Sequence, residues 1–392
     1  MEERGTTAAV LGLDVGKASH WACGIDSSGR VVLSGRVANR AADVDAVLAR
    51  AGSGALVVVD QKRNIGALAV ARARAAGNPV AYLPGSAEKA LRDAEAGVAK
   101  TDRIDAEVIA RAALGMPHVL RPLAEEAPRA ASVRLLASQL DFCTRSRTQA
   151  KNRLRAVLLE ADPALEAAVD PSCAWHMAVL AEIGGPADCA EAGIRRFRAV
   201  AERAGGASRA ASSRLWGALA ASASAGRPSA PAEGALARML ARDILALDGE
   251  ASELRALMAA ELESDETYRC LLTVPGVGPK TAAALVAAVD VSLFPSHDKL
   301  ASYCGVAPAD SQSGTSVRSA RPQRGGNKTL KNLLIFSCNS LVGTGNRFGR
   351  YYEECRARNM RHNAALKAVA RKRLKVIWAI MRNPRPYEEP VA

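Results

Sequence analysis

Two short apolar runs, AVLGLDVGK (residues 9–17) and GALVVVD (residues 54–60), decide how the rest of this chain is read. Each is long enough for a buried strand and short for a helix, and each reaches a carboxylate, Asp14 or Asp60. Between them, HWACGID (20–26) and RVVLSGRV (30–37) are β-rich, with Ser27-Ser28-Gly29 as turn chemistry. Helical patterns cover 40–51 and 64–76, PVAYLP (79–84) reads as a further strand, and a helix begins near 101.

The order is therefore β-β-β-α-β-α with a following helix. Three antiparallel strands that continue into βαβ crossovers give a mixed sheet with helices on its faces. This is the order of the ribonuclease-H-like, RuvC-like fold, and it is expected over residues 1–122. In that order the first and fourth strands are neighbours, so Asp14 and Asp60 emerge at one sheet edge. The segment KTDRIDA (100–106) adds Asp102 and Asp105, three residues apart and so on one helix face, with Thr101 as the expected cap. Four carboxylates in one place repel unless a cation neutralises them. Two Mg2+ ions, with Mn2+ able to substitute, do so and are a standard arrangement for phosphodiester chemistry.

Residues 123–266 are rich in Ala, Leu, Arg and Glu, and read as long helices over 138–163 and 235–266. A helical hairpin or antiparallel coiled coil is expected, with low-complexity residues 205–234 breaking the pattern as a loose tip. Residues 267–392 are expected to form a mainly α-helical domain. It opens with LLTVPGVGPKTAAALVAAV (271–289), the signature of a helix-hairpin-helix. Gly276 and Gly278 allow the tight turn, and the helix after Pro279 presents free N–H groups suited to a phosphate, with Lys280 beside them.

Charge separates these parts. The chain carries +13 overall, and the three segments carry +3, −3 and +13 in turn. A whole segment with that excess meets a polyanion, and nucleic acid is the first candidate. The helical stretch ALKAVARKRLKVIWAIM (365–381) places Arg371, Lys372, Arg373 and Lys375 beside Val369, Leu374, Ile377 and Trp378, so one face packs and the other meets phosphates. Aromatic residues are only 4% of the chain, which argues against base stacking as the main mode of binding. The eight cysteines form no CxxC pair, which argues against a zinc ribbon or a disulfide scaffold and for a reducing, cytoplasmic setting. No apolar run is long enough to span a bilayer, and the acidic start lacks the pattern of a secretory signal.

LGLDVGK, VVVD, KTDRIDA, VPGVGPKTAAALVA, FPSHDKLASYCGVAP and SQSGTSVRSARPQRGGNKTLKNLL together resemble the IS110 family of insertion-sequence transposases, which includes the Piv-type DNA invertases. The resemblance covers residues 8–115 and 268–381. It implies a RuvC-like domain with an Asp-Glu-Asp-Asp metal site, here Asp14, Asp60, Asp102 and Asp105. Asp60 stands where the family usually has Glu, so this carboxylate reaches one methylene less. The resemblance also implies a nucleophilic serine in a Ser-Gly pair, here Ser313-Gly314, that forms a phosphoserine link to DNA. It further implies donor and target double-stranded DNA, a noncoding bridge RNA as guide, assembly as a homodimer or homotetramer, and a bacterial, nucleoid-associated location.

A serine hydroxyl needs a base or a metal site to take its proton, and no histidine lies near Ser313 in sequence. Spacing alone does not choose among Ser311, Ser313, Ser316 and Ser319. Arg318, Arg321, Arg324 and Lys328 follow closely enough to hold a phosphate, as do Lys100 and Arg103 beside the first-domain carboxylates. Competing readings are a RuvC-like endonuclease that uses water, such as a junction resolvase, and a non-catalytic nucleic-acid binder.

Overall fold

The computed structural model describes residues 7–94, 101–123, 128–224, 230–313, 317–322 and 326–389. The chain divides into two compact units, Met1–Glu125 and Glu126–Ala392.

In the first unit, β1 (Val10–Asp14), β2 (Ser19–Ile25) and β3 (Val31–Ala38) form an antiparallel meander. Its second turn is fixed by Asp26, whose carboxylate accepts from the backbone N–H groups of Ser28 and Arg30, and by Gly29 at φ +83°. Helix α1 (Ala41–Ala51) crosses to β4 (Leu56–Val59), and α2 (Ala67–Ala75) crosses to β5 (Val80–Tyr82). Both new strands run parallel to β1. Helices α3 (Gly85–Ala94) and α4 (Asp102–Gly115) follow, and the two-residue strand β6 (Arg121–Pro122) closes the sheet. The order is β3-β2-β1-β4-β5-β6, the mixed sheet expected from the sequence.

Alternation along the strands sorts the two faces. Leu11, Leu13, Val57 and Val59 pack with Val44, Val47, Leu48 and Val70 of α1 and α2. Val10 and Val58 face the other way, onto Ala106, Ile109 and Ala110 of α4. Gly12 lets α4 approach: a Cβ there would lie 2.5 Å from the Ala106 carbonyl oxygen and 2.7 Å from the Ala110 nitrogen. The helix backbone therefore rests directly on β1.

Among the described residues, the second unit is helical apart from one hairpin. Two long helices, α5 (Pro128–Ala161) and α10 (Ala230–Leu262), run antiparallel, with Cys143 opposite Glu250 and Arg147 ion-paired to Asp248. At about 1.5 Å per residue each is close to 50 Å long. Between them, α6 (Pro163–Ala168), α7 (Ala174–Glu182), α8 (Pro186–Arg203) and α9 (Arg209–Ser224) build a small core around Trp175, Phe197, Leu215 and Leu219. The loose tip expected at 205–234 is thus corrected. Residues 209–224 form a helix, because alanine is the best helix former and Leu215 and Leu219 supply an apolar edge. Residues 225–229 lie outside the described chain.

At the other end, Val133, Leu140, Met258 and Leu262 share a core with the C-terminal elements. These are α11 (Glu266–Leu272), α12 (Pro279–Ala288), α13 (His297–Tyr303), the hairpin β7 (Pro308–Ser313) and β8 (Val317–Pro322), α14 (Lys328–Phe336), α15 (Arg347–Ala357) and α16 (His362–Arg382). Polar side chains cap these helices locally: Asp265, Ser296, Asn327 and Asn346 each accept from a first-turn N–H. All eight cysteines are free thiols.

Candidate active site and nucleic-acid interface

The register of the parallel pair β1–β4 places Leu13 opposite Val59. The next residues, Asp14 and Asp60, therefore leave the sheet side by side. They share the parity of Val10 and Val58, so both side chains lie on the α4 face. The Val15 N–H donates to Asp60 Oδ1 at 3.2 Å, tying the two strand ends together. Behind them, buried His20 accepts from the Gly16 N–H at Nδ1 (3.2 Å), and its Nε2 lies 3.2 Å from Asn39 Oδ1. Asn39 in turn donates to the Lys17 carbonyl. His20 thus pins the turn that follows Asp14, with burial lowering its pKa below the ordinary histidine value. Sequence reading missed this role, because a lone histidine in a strand carries no pattern.

Thr101 caps α4 as expected, accepting from the Ile104 N–H. Asp105 on the first turn is buried, while Asp102 and Arg103 are exposed. Lys100 lies outside the described residues. Asp14 is pushed up from 3.8 to about 7, first by burial and then by the charges of Asp60, Asp105, Asp102 and Glu88. The other three sequence-predicted acids therefore all bear on Asp14. Asp60 is also raised, chiefly by burial.

A fifth acid joins them. Glu88 of α3 is buried and raised by desolvation and by Asp60. It ion-pairs with Arg92, whose Nε also lies 3.0 Å from Asp105 Oδ1. Asp105 Oδ1 is buried, and this contact lacks hydrogen-bond geometry. Among the described residues no three such groups are already spaced as a metal cage. The donor set nevertheless fits a hard divalent cation: all are carboxylates, their charges are under-compensated, and one buried oxygen has no hydrogen bond.

These shifts predict a pH response. In EDTA, the folded chain holds a proton on Asp14 up to about pH 7, whereas the unfolded chain releases it near 3.8. Stability contributed by this group therefore rises as pH falls from about 7 towards 4. His20 acts oppositely, losing its contribution as pH falls below 6.5. Melting curves of wild type and Asp14→Asn at pH 5 and pH 7.5 separate the two: the variant should melt higher than wild type at pH 7.5, and the gap should shrink at pH 5.

In the second unit, β7 and β8 pair with Ser313 opposite Val317, so Ser313 is the last paired residue of β7 at the hairpin tip. Ser311 pairs with Ser319 and Gln312 with Arg318, two rungs and one rung below. Gly314, Ser316 and Arg324 lie outside the described residues, as do the side chains of Ser313, Arg318 and Arg321. The feet of the hairpin are locked. Gly326, at φ +94°, lies so close to the chain that a Cβ would be 2.7 Å from the Tyr303 carbonyl oxygen and 2.9 Å from the Gly305 nitrogen. The Asn327 N–H donates to that same carbonyl at 2.7 Å, and the Asn327 side chain caps α14. Tyr303, Gly305, Gly326 and Asn327 are therefore the clasp of the hairpin. Lys328 opens α14 and is exposed.

The turn between α11 and α12 has Gly276 at φ +76°. Its glycine requirement is internal: a Cβ would lie 2.5 Å from Arg373 Nη1. Gly278 is exposed and open, and starts α12 without a side-chain cap. Lys280 is half-buried, 3.8 Å from Asp141. Arg373 corrects the expectation of a four-residue phosphate-facing stripe. It is fully buried, donating to the carbonyls of Pro275 and Leu334 and to Ser337, and burial lowers its pKa. Arg371 and Lys375 are exposed, Arg371 against Asp298, and the Lys372 ammonium lies 3.8 Å from the centre of the Tyr351 ring.

Arg373→Met should therefore destabilise the chain by about 3 kcal/mol, since buried carbonyls lose a charged donor. Nucleic-acid affinity of the folded fraction should hold. Lys375→Glu should do the reverse, weakening binding with little change in melting temperature. Denaturant melts and salt-dependent binding curves separate the two.

Comparison with known proteins bears on this arrangement. A family profile described as "Transposase" matches residues 11–163, and one described as "Transposase IS116/IS110/IS902 family" matches residues 268–353. The insertion element IS110 43.6 kDa protein of Streptomyces coelicolor is 36% identical over 389 residues, covering 96% of this chain and 95% of that protein. The chain belongs to the IS110 family of transposases. It is an enzyme that cuts and rejoins DNA. Another member of this transposase family, the insertion element IS116 44.8 kDa protein of Streptomyces clavuligerus, is 30% identical over 389 residues, 96% of this chain and 95% of its own. A pilin gene-inverting protein of Moraxella bovis is 32% identical over 125 residues, 31% of this chain and 38% of that protein. No helix among the described residues is long and apolar enough to cross a membrane.

Proposed function

We propose that this transposase breaks and rejoins DNA through a phosphoserine at Ser313, assisted by a divalent-metal site of Asp14, Asp60, Asp102 and Asp105 in a RuvC-like domain. The observation that supports this reading is Asp14, lifted to about 7 first by burial and then by the charges of Asp60, Asp105 and Asp102. Mg2+, as one or two ions, is the natural counter-charge, with Mn2+ as substitute. When bound, it neutralises phosphoryl charge and eases loss of the serine proton. The chain's own residues do the rest. The His20–Asn39 pair holds the turn after Asp14, Thr101 fixes the start of α4, and the Gly305–Gly326 clasp holds the hairpin that ends in Ser313.

The basic last segment is read as the phosphate-binding surface, with Arg371, Lys375, Lys328 and the helix-hairpin-helix turn at Gly278. Target choice falls to a structured noncoding bridge RNA, and the active form is a dimer or a dimer of dimers. The test is strand exchange between donor and target plasmids with purified chain, Mg2+ and RNA transcribed from beside the gene. Product should require both additions. Product formed equally well without RNA would remove the guide from this reading.

A further inference from the structure

Arg92 lies among the acids of the first unit. Its guanidinium lies between Glu88 on its own helix and Asp105 on α4, and its side chain is only 24% exposed. It brings one positive charge to a group of five acids. The contact with Asp105 is close, at 3.0 Å, yet both Arg92 Nε and Asp105 Oδ1 lack hydrogen-bond geometry. This is a charge contact without the directed bonding of a settled buried pair. An arginine–carboxylate contact also keeps oxygens about 3 Å from the cation centre's nitrogens, whereas Mg2+ draws oxygens to about 2.1 Å.

We propose that Arg92 is a built-in counter-cation of the carboxylate site, held by Glu88 and displaced from Asp105 when a divalent cation binds. Glu88 keeps the guanidinium parked on α3 after the exchange, because residues 88 and 92 are one helical turn apart. Releasing Asp105 then needs a change of side-chain rotamer. The device holds the acids together before metal arrives and sets the metal concentration at which the site fills.

The inference rests on the metal-site reading above, and the test separates the two. Mn2+ binding to the full-length chain is measured by electron paramagnetic resonance, alongside melting temperature in EDTA. Arg92→Gln should bind Mn2+ about tenfold more tightly than wild type, because the competing cation is gone. It should melt lower in EDTA and gain more from added Mn2+. Equal or weaker Mn2+ binding by Arg92→Gln overturns the proposal and makes Arg92 a positioning residue for Asp105. Should that variant fail to fold without metal, Arg92→Lys gives the second reading. A single ammonium bridges the two acids less well, so tighter Mn2+ binding supports displacement and unchanged or weaker binding overturns it. If wild type takes up no Mn2+, the metal-site reading itself fails; if wild type binds and neither variant binds more tightly, only the Arg92 inference fails.

Discussion

Asp14→Asn should lower strand exchange at least about a thousandfold while leaving DNA and RNA affinity within about twofold. Asp14 sits where two parallel strands end in register, and its neighbours are Asp60, Asp105, Asp102 and Glu88. The amide has nearly the same shape, so Asp60 and α4 keep their places. It removes the charge through which the proposed site would attract a divalent cation. It also removes a repelled carboxylate, so the metal-free variant should melt higher than wild type near neutral pH. That pairing of a more stable chain with an inactive one separates a lost ligand from a damaged fold. Loss of activity together with loss of stability would instead make Asp14 a structural strand end.

Ser313→Ala should abolish recombination, again by a factor of about a thousand or more, because in the proposed reaction Ser313 supplies the attacking oxygen. Ser313 closes the β7–β8 ladder at the hairpin tip, and the clasp of Gly305 with Gly326 lies at the far end. Removing one hydroxyl there should leave folding and nucleic-acid binding intact. Ser311→Ala and Ser319→Ala, which exchange residues within the paired ladder, should cost far less. Comparable losses in all three would point to a hairpin that binds substrate as a surface.

Much of the first unit was legible in the sequence for simple reasons. Apolar runs that end in an acid read as buried strands, and strand order then puts Asp14 next to Asp60. Three-residue spacing put Asp102 and Asp105 on one turn. What escaped depended on tertiary placement. Glu88 and Arg92 look like an ordinary i,i+4 pair on a solvated helix, and only the packing of α3 beside α4 turns them toward Asp105. Arg373 was hidden by its neighbours, since Arg-Lys-Arg reads as surface. Its spacing carried the contrary signal: position 373 falls four after Val369 and four before Ile377, within the buried stripe. The low-complexity stretch misled because serine and glycine suggest a loop, while a run rich in alanine with leucines four apart forms a helix once an apolar partner is present.

The serine and the carboxylates meet most directly in one measurement. Wild-type chain is incubated with donor and target DNA, guide RNA and Mg2+, quenched in denaturant, and analysed for DNA covalently attached to protein, with the attachment site mapped by mass spectrometry. The account predicts an adduct on Ser313 that is absent in Ser313→Ala and absent or much slower in Asp14→Asn. DNA cleavage with no adduct at any time, or an adduct that persists in Ser313→Ala, would contradict it. Cleavage without an adduct would leave a metal-dependent endonuclease that uses water.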